Sequence, residues 1–316
     1  MEKNNPLTLA IIKTFCYFAV FKYPLTLRQI SKYMHGFKVS QIQIKRELGK
    51  TNAVHSSGGY YFFPDKQKDV TLRIKHKKIS KKLLNEAKKM GKILSFIPTI
   101  KLIGVSGSLS MNNCKEGDDI DLFIVTGNNS LWLSRILVVG LILFLGKKRS
   151  RFGASKGKVC TNMWMSKGSL EATKKNIYVA HELAQLKVLV DKNNAYQNLL
   201  GFNQWIYRYL PNIYKFEIPR EKRQDNRLFE RLLYPIETIC FYMQITYMKR
   251  KSAKGKETVN RNLAMFHPND YTKSVLGKYK KEMASRMKNT NRHESDVVTT
   301  RAITSNFSLN LITPGS

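Results

Sequence analysis

Two acidic residues separated by one apolar residue, Asp119-Ile120-Asp121, are the part of this sequence best equipped for chemistry. On an extended strand both carboxylates point to one face, while Ile120, Leu122 and Ile124 point to the other. Like charges at that spacing repel. A divalent cation resolves the repulsion, and Mg²⁺ (or Mn²⁺) takes oxygen ligands from one or two carboxylates together with phosphates. Upstream lies Gly104-Val105-Ser106-Gly107-Ser108-Leu109-Ser110. Gly107 lets the chain turn tightly after an apolar run. The turn then offers backbone N–H groups, with the Ser108 and Ser110 hydroxyls beside them, to a phosphate. Carboxylates for a cation and a turn for phosphates are the parts needed for in-line phosphoryl or nucleotidyl transfer.

Such parts need a rigid frame. Ile100–Val105 reads as a buried strand and Asp118–Val125 as a second. Leu131–Leu145 reads as a helix and Val159–Met165 as a third strand. Strands interleaved with helices predict an α/β core. Beyond Ser166 the pattern reads as helical, over Leu170–Val190, Asn194–Tyr209, Arg227–Lys249 and Tyr271–Met287. Gly107-Ser108, ten residues, then Asp119-Ile120-Asp121-Leu122 resembles the DNA polymerase β-like nucleotidyltransferase superfamily, over roughly residues 80–210. The resemblance implies transfer of a nucleoside monophosphate from an NTP to an acceptor hydroxyl. It casts Gly107 and Ser108 as the phosphate-binding pair and Asp119 and Asp121 as the metal-binding carboxylates. Members usually add a third acid on a later strand. Here no Asp or Glu occurs between Asp121 and Glu171, and Asn162 is the polar residue best placed to stand in. An amide can orient an acceptor but is a poor base. Two readings follow: an active transferase, or a degenerate, nucleotide-sensing transferase domain in a nucleic-acid-binding regulator.

Ahead of the core, helical patterns over Leu7–Lys22, Thr26–Met34 and Ser40–Leu48 precede Ala53-Val54-His55, a Ser56-Ser57-Gly58-Gly59 turn and Tyr60-Tyr61-Phe62-Phe63. Three short helices and a hairpin resemble a winged helix-turn-helix over roughly residues 7–64. That implies nucleic-acid binding through the third helix and the wing, or a packing module. The expected class is therefore α+β. Its parts are a winged-helix-like unit over 1–64, a basic connecting helix over 65–95, a nucleotidyltransferase-type core over 96–168, a helical region over 169–288 and a disordered tail over 289–316.

Composition sets the limits. The 316 residues carry 55 Lys+Arg against 22 Asp+Glu, a formal net charge of +33, and 42% are hydrophobic, enough for a packed core. The basic residues concentrate in 66–92 and 146–158, which makes those segments candidate contacts for nucleic acid or a triphosphate. Cys16, Cys114, Cys160 and Cys240 show no CxxC and no zinc-ligand spacing, which argues against a disulfide scaffold and for a reducing, cytoplasmic setting. The apolar stretches Ile136–Leu145 and Leu228–Met248 are respectively too short and too interrupted to span a bilayer, so no membrane partner is expected. Tyr178, His181, Glu182 and Gln185 fall on neighbouring helical turns after the core, where relatives touch base or acceptor.

Overall fold

Helix ends in this chain are set by short polar side chains. In the computed structural model, which describes residues 5–147, 157–213, 227–251, 258–266 and 271–288, α1 (Pro6–Ala19) opens with the Asn5 side chain accepting the Leu7 N–H at 3.0 Å. Two reciprocal capping boxes, Thr26 with Gln29 and Ser40 with Gln43, start α2 (Leu27–Lys32) and α3 (Gln41–Leu48). The hairpin β1 (His55–Ser57) and β2 (Tyr60–Phe62) turns on Gly58 and Gly59, both at positive φ. Leu25, ahead of α2, bridges to Tyr61 on β2. Ile42, Lys45 and Arg46 on α3 face solvent, whereas Ile44, Glu47 and Leu48 are buried.

A long helix, α4 (Lys68–Leu94), leads from this unit to the sheet. Its 27 residues span about 40 Å. Ala87, Met90 and Leu94 are buried against the sheet, while Lys75, Lys78, Lys82 and Lys89 stay exposed. The main sheet combines β3 (Ile100–Val105), β4 (Ile120–Thr126), β5 (Val159–Ser166), β6 (Lys187–Asp191), β7 (Thr258–Val259) and β8 (Leu263–Met265) in the order β6-β3-β4-β5-β8-β7. Among the described strands only β4 and β5 pair in parallel.

The sheet is apolar on both faces. Ile103, Val105, Ile120, Leu122 and Ile124 join Ala87 and Leu94 of α4 and Trp132 of α6 (Leu131–Phe144). Leu102, Phe123 and Val125 join α1, α7 (Ile177–Ala184), α8 (Ala195–Gly201) and α9 (Ile206–Tyr209) on the other face. The helix over 271–288 also packs there, through Val275. The Ser130 side chain does not cap α6. Glu237 of α10 (Arg227–Lys251) does so from outside, accepting the Trp132 and Leu133 N–H groups at 2.8 and 2.9 Å. Gly104 serves close packing, since a Cβ there would lie 2.6 Å from Leu186 Cγ.

The mixed α/β class is as expected, but the region after Ser166 is not wholly helical. Lys187–Asp191 is an edge strand beside β3, and Thr258–Met265 contributes two more strands beyond β5. Leu186 alone separates α7 and Gln185 from β6, so the apolar run reads as one long helix. The second strand begins at Ile120 rather than Asp118, because Asp118 is held in the preceding turn. Among the described residues no helix is long and apolar enough to cross a membrane. Residues 148–156 of the basic segment and the expected tail over 289–316 lie outside the described residues.

Candidate functional site

The site forms where β3 ends and β4 begins. Ser106 donates its N–H to the Asp121 carbonyl at 3.0 Å, which locks the end of one strand to the start of the other. Gly107 then adopts φ +61°, a conformation that carries strain for a side chain. A Cβ at this position would lie 3.2 Å from Asp121 Oδ2. Both demands explain the glycine: the chain must turn there, and it turns against a carboxylate.

The serines of the turn have separate duties. Ser108 Oγ donates to Asp118 Oδ2 at 3.0 Å, and the Lys115 N–H reaches the same oxygen at 3.0 Å, so Asp118 braces the loop between turn and strand. Ser110, expected beside the phosphate, is buried and donates its hydroxyl to the Gly107 carbonyl at 2.8 Å. It shapes the turn from within.

Asp119 and Asp121 are half-buried, as is Cys160 on β5. One ligand atom from each of these three residues lies within 4.8 Å of the other two. In the parallel β4–β5 pair Asp121 stands opposite Cys160. The register shifts just beyond, between Leu122 and Phe123, and Asn162 sits at that irregularity. Asn162 Nδ2 donates to Asp121 Oδ1, and the Cys160 thiol donates to Asn162 Oδ1. The expected stand-in for a third acid is therefore at the site, bonded to a carboxylate.

A third acid arrives from elsewhere in the chain. Glu182 on α7 comes within electrostatic reach of Asp121 and of the Gly107 backbone. Burial, reinforced by the negative Asp121, pushes its carboxyl up to about 7, with the Gly107 N–H pulling the other way. The sequence placed Glu182 on a helix after the core. What it lacked was the packing of that helix over the Gly107 turn. No local signal marks it, since Glu171 and not Glu182 is the first acid after the long acid-free stretch.

His181 and Gln185 of that helix are engaged elsewhere. His181 is buried beneath the stacked ring of Tyr17, with ring centroids 4.0 Å apart. His181 Nε2 meets His35 Nε2 at 3.0 Å, and Gln185 Nε2 reaches His181 Nδ1 at 2.8 Å. Burial lowers His35 to about 3 and takes His181 well below its ordinary value, so both rings are neutral.

The loop between turn and strand is tied to the N-terminal helices and to α4. Tyr23 Oη donates to the Met111 carbonyl at 2.8 Å, and Arg73 Nη1 donates to the Asn112 carbonyl at 2.7 Å. Asn113 Nδ2 donates to the Phe21 carbonyl at 3.1 Å. The basic segments also meet: Lys147 Nζ lies 3.5 Å from Glu86 Oε2 on α4, and the Gly157 N–H donates to the Asp118 carbonyl at 3.3 Å. The cationic face of α4 thus adjoins the base of the 146–158 segment, beside the site. No protein-family model matches the chain, and no curated protein matches it.

Proposed function

We propose that this chain is a metal-dependent nucleotidyltransferase that moves a nucleoside monophosphate from an NTP to an acceptor hydroxyl. The observation that carries the reading is the seat of the Asp121 carboxylate against the Gly107 turn, with a virtual Cβ 3.2 Å from Asp121 Oδ2. A turn that would hold phosphates and a carboxylate that would hold a cation can serve one ligand when they lie side by side. The donor set fits a divalent cation, with Asp119 and Asp121 holding it. Such an ion supplies neutralisation of the phosphate charge that builds up in transfer.

The protein's own groups do the rest. The Gly107–Ser108 turn holds the phosphates, and Ser108 exchanges its bond to Asp118 for one to the ligand. The acceptor oxygen bonds to the α-phosphorus as the bond from that phosphorus to the β-bridging oxygen breaks, and pyrophosphate leaves. The acceptor's proton passes to Glu182, whose carboxyl is tuned near neutral pH. Asn162 keeps Asp121 oriented through its amide N–H. The cationic face of α4 is placed to steer a polyanionic partner.

A second reading is favoured by one feature. The exposed face of α3, with Lys45 and Arg46 beside the β1–β2 hairpin, suits nucleic-acid binding in the winged-helix manner. The loop at Met111–Asn113 is bonded to that same unit. On this reading nucleotide occupancy at the turn would be sensed by the N-terminal unit without transfer. Incubation with α-labelled NTPs, Mg²⁺ or Mn²⁺ and pools of RNA or lysate separates the two. Label in an acceptor with wild type, and none with Asp121→Asn, supports transfer. Nucleotide binding without label in any pool favours sensing.

A further inference from the structure

We propose that the cation site is completed by a thiolate: Cys160 joins Asp119 and Asp121, and the three select a borderline divalent cation of the cobalt or zinc kind over magnesium. This rests on the reading of Asp119 and Asp121 as cation ligands and adds the third donor and the class of ion.

Placement argues for it first. The three donor atoms lie within 4.8 Å of one another. Ligands around one tetrahedral ion sit about 3.5 Å apart, so small side-chain rotations close the set. Asp121 and Cys160 are direct partners in a ladder of two parallel strands, so the backbone presets their approach. Asp119 comes from the turn that leads into the same strand.

Chemistry argues for it second. The other three cysteines, Cys16, Cys114 and Cys240, are buried, and Cys160 is only half-buried. Asn162 bonds both to Asp121 and to Cys160, which orients a carboxylate and a thiol from one amide in the manner of an outer-sphere residue. Magnesium demands hard oxygen donors in an octahedron, whereas a thiolate favours softer ions and lower coordination. As the sulfur–metal bond forms, the thiol proton leaves to solvent.

The test is a Co²⁺ titration of the full chain without nucleotide, followed by absorption spectroscopy. The expected result is a sulfur-to-cobalt charge-transfer band in wild type that persists in excess Mg²⁺. In Cys160→Ser the band disappears and Co²⁺ affinity falls at least about tenfold. Asp121→Asn should also lose the band, while its circular dichroism stays that of wild type. Co²⁺ bound without a charge-transfer band, a band that survives Cys160→Ser, or no Co²⁺ binding at all would each overturn the inference. The function reading fails separately. A chain that shows the Cys160-dependent band but transfers no label even when Co²⁺ or Zn²⁺ is the added ion keeps this site and loses the transferase. One that transfers label with an all-oxygen cobalt spectrum does the reverse.

Discussion

Neighbouring residues of α7 serve two clusters of opposite character. His181 enters a closed set with Tyr17, His35 and Gln185, in which burial keeps both imidazoles neutral and each finds a hydrogen-bond partner. Glu182 lies within electrostatic reach of Asp121, and burial together with that negative charge pushes its carboxyl up. The first has satisfied its polar groups within the protein and ties the N-terminal unit to the helix behind the sheet. The second groups two carboxylates with a thiol at the open end of the sheet, in a set whose donor atoms could hold a cation. Burial of polar groups therefore does not by itself mark a candidate site; convergence of metal-ligating atoms does.

The sharpest way to break this contrast is Asp121→Asn. Label transfer should fall about 10³-fold, about 4 kcal/mol of transition-state stabilisation. Thermal unfolding without metal should be unchanged or move upward, since a repulsion is removed. On the closed side, His35→Ala should destabilise the fold by about 3 kcal/mol in urea titration, through a cavity and an orphaned partner. Transfer by the protein that remains folded should stay within about twofold of wild type. A large loss of turnover in that variant would mean the two clusters act as one.

Glu182→Gln should lower turnover about 10²-fold with little change in cation affinity. A cation affinity that falls in step with turnover would instead make Glu182 a ligand. The smallest effect is on the pH dependence of stability in metal-free buffer. The two histidines stay neutral when folded and take up protons near pH 6.5 when unfolded, so their contribution is complete above pH 6.5 and is lost as pH falls. Glu182 has the opposite sign. Its folded value of about 7 exceeds the ordinary 4.5, so its contribution is complete below pH 4.5 and is lost as pH rises toward 7. Between pH 4.5 and 6.5 Glu182→Gln should therefore gain stability with rising pH more steeply than wild type. Equal slopes would mean that neither burial nor Asp121 raises the Glu182 carboxyl in the fold.

The parts of the site legible in the sequence were those written locally. A positive-φ glycine followed by an Asp-x-Asp strand is a pattern within one connection, and the structure places Asp121 against that glycine. Asn162 could be placed because it lies on the neighbouring parallel strand. Glu182 was visible as a helical residue and not as part of the site, because its approach depends on how α7 packs across the sheet. Cys160 was silent for a related reason: strand pairing, and not spacing along the chain, sets it opposite Asp121. The capped helices α2 and α3 were legible to within a residue or two from Thr26 and Ser40. The strands at the two sheet edges were not, since β6, β7 and β8 are short and take their conformation from the partners beside them.

One of those late strands also sets the order in which the molecule can be finished. The Asn162 carbonyl accepts the Phe266 N–H at 2.9 Å, and Met163 to Met165 pair with Met265 to Leu263. During synthesis the outer edge of β5 therefore waits, bare, until nearly a hundred further residues have emerged. The strand that carries Cys160 and Asn162 offers an unpaired edge throughout that interval, and Lys158 and Lys167, which flank it, are residues of the type that discourages edge-to-edge pairing.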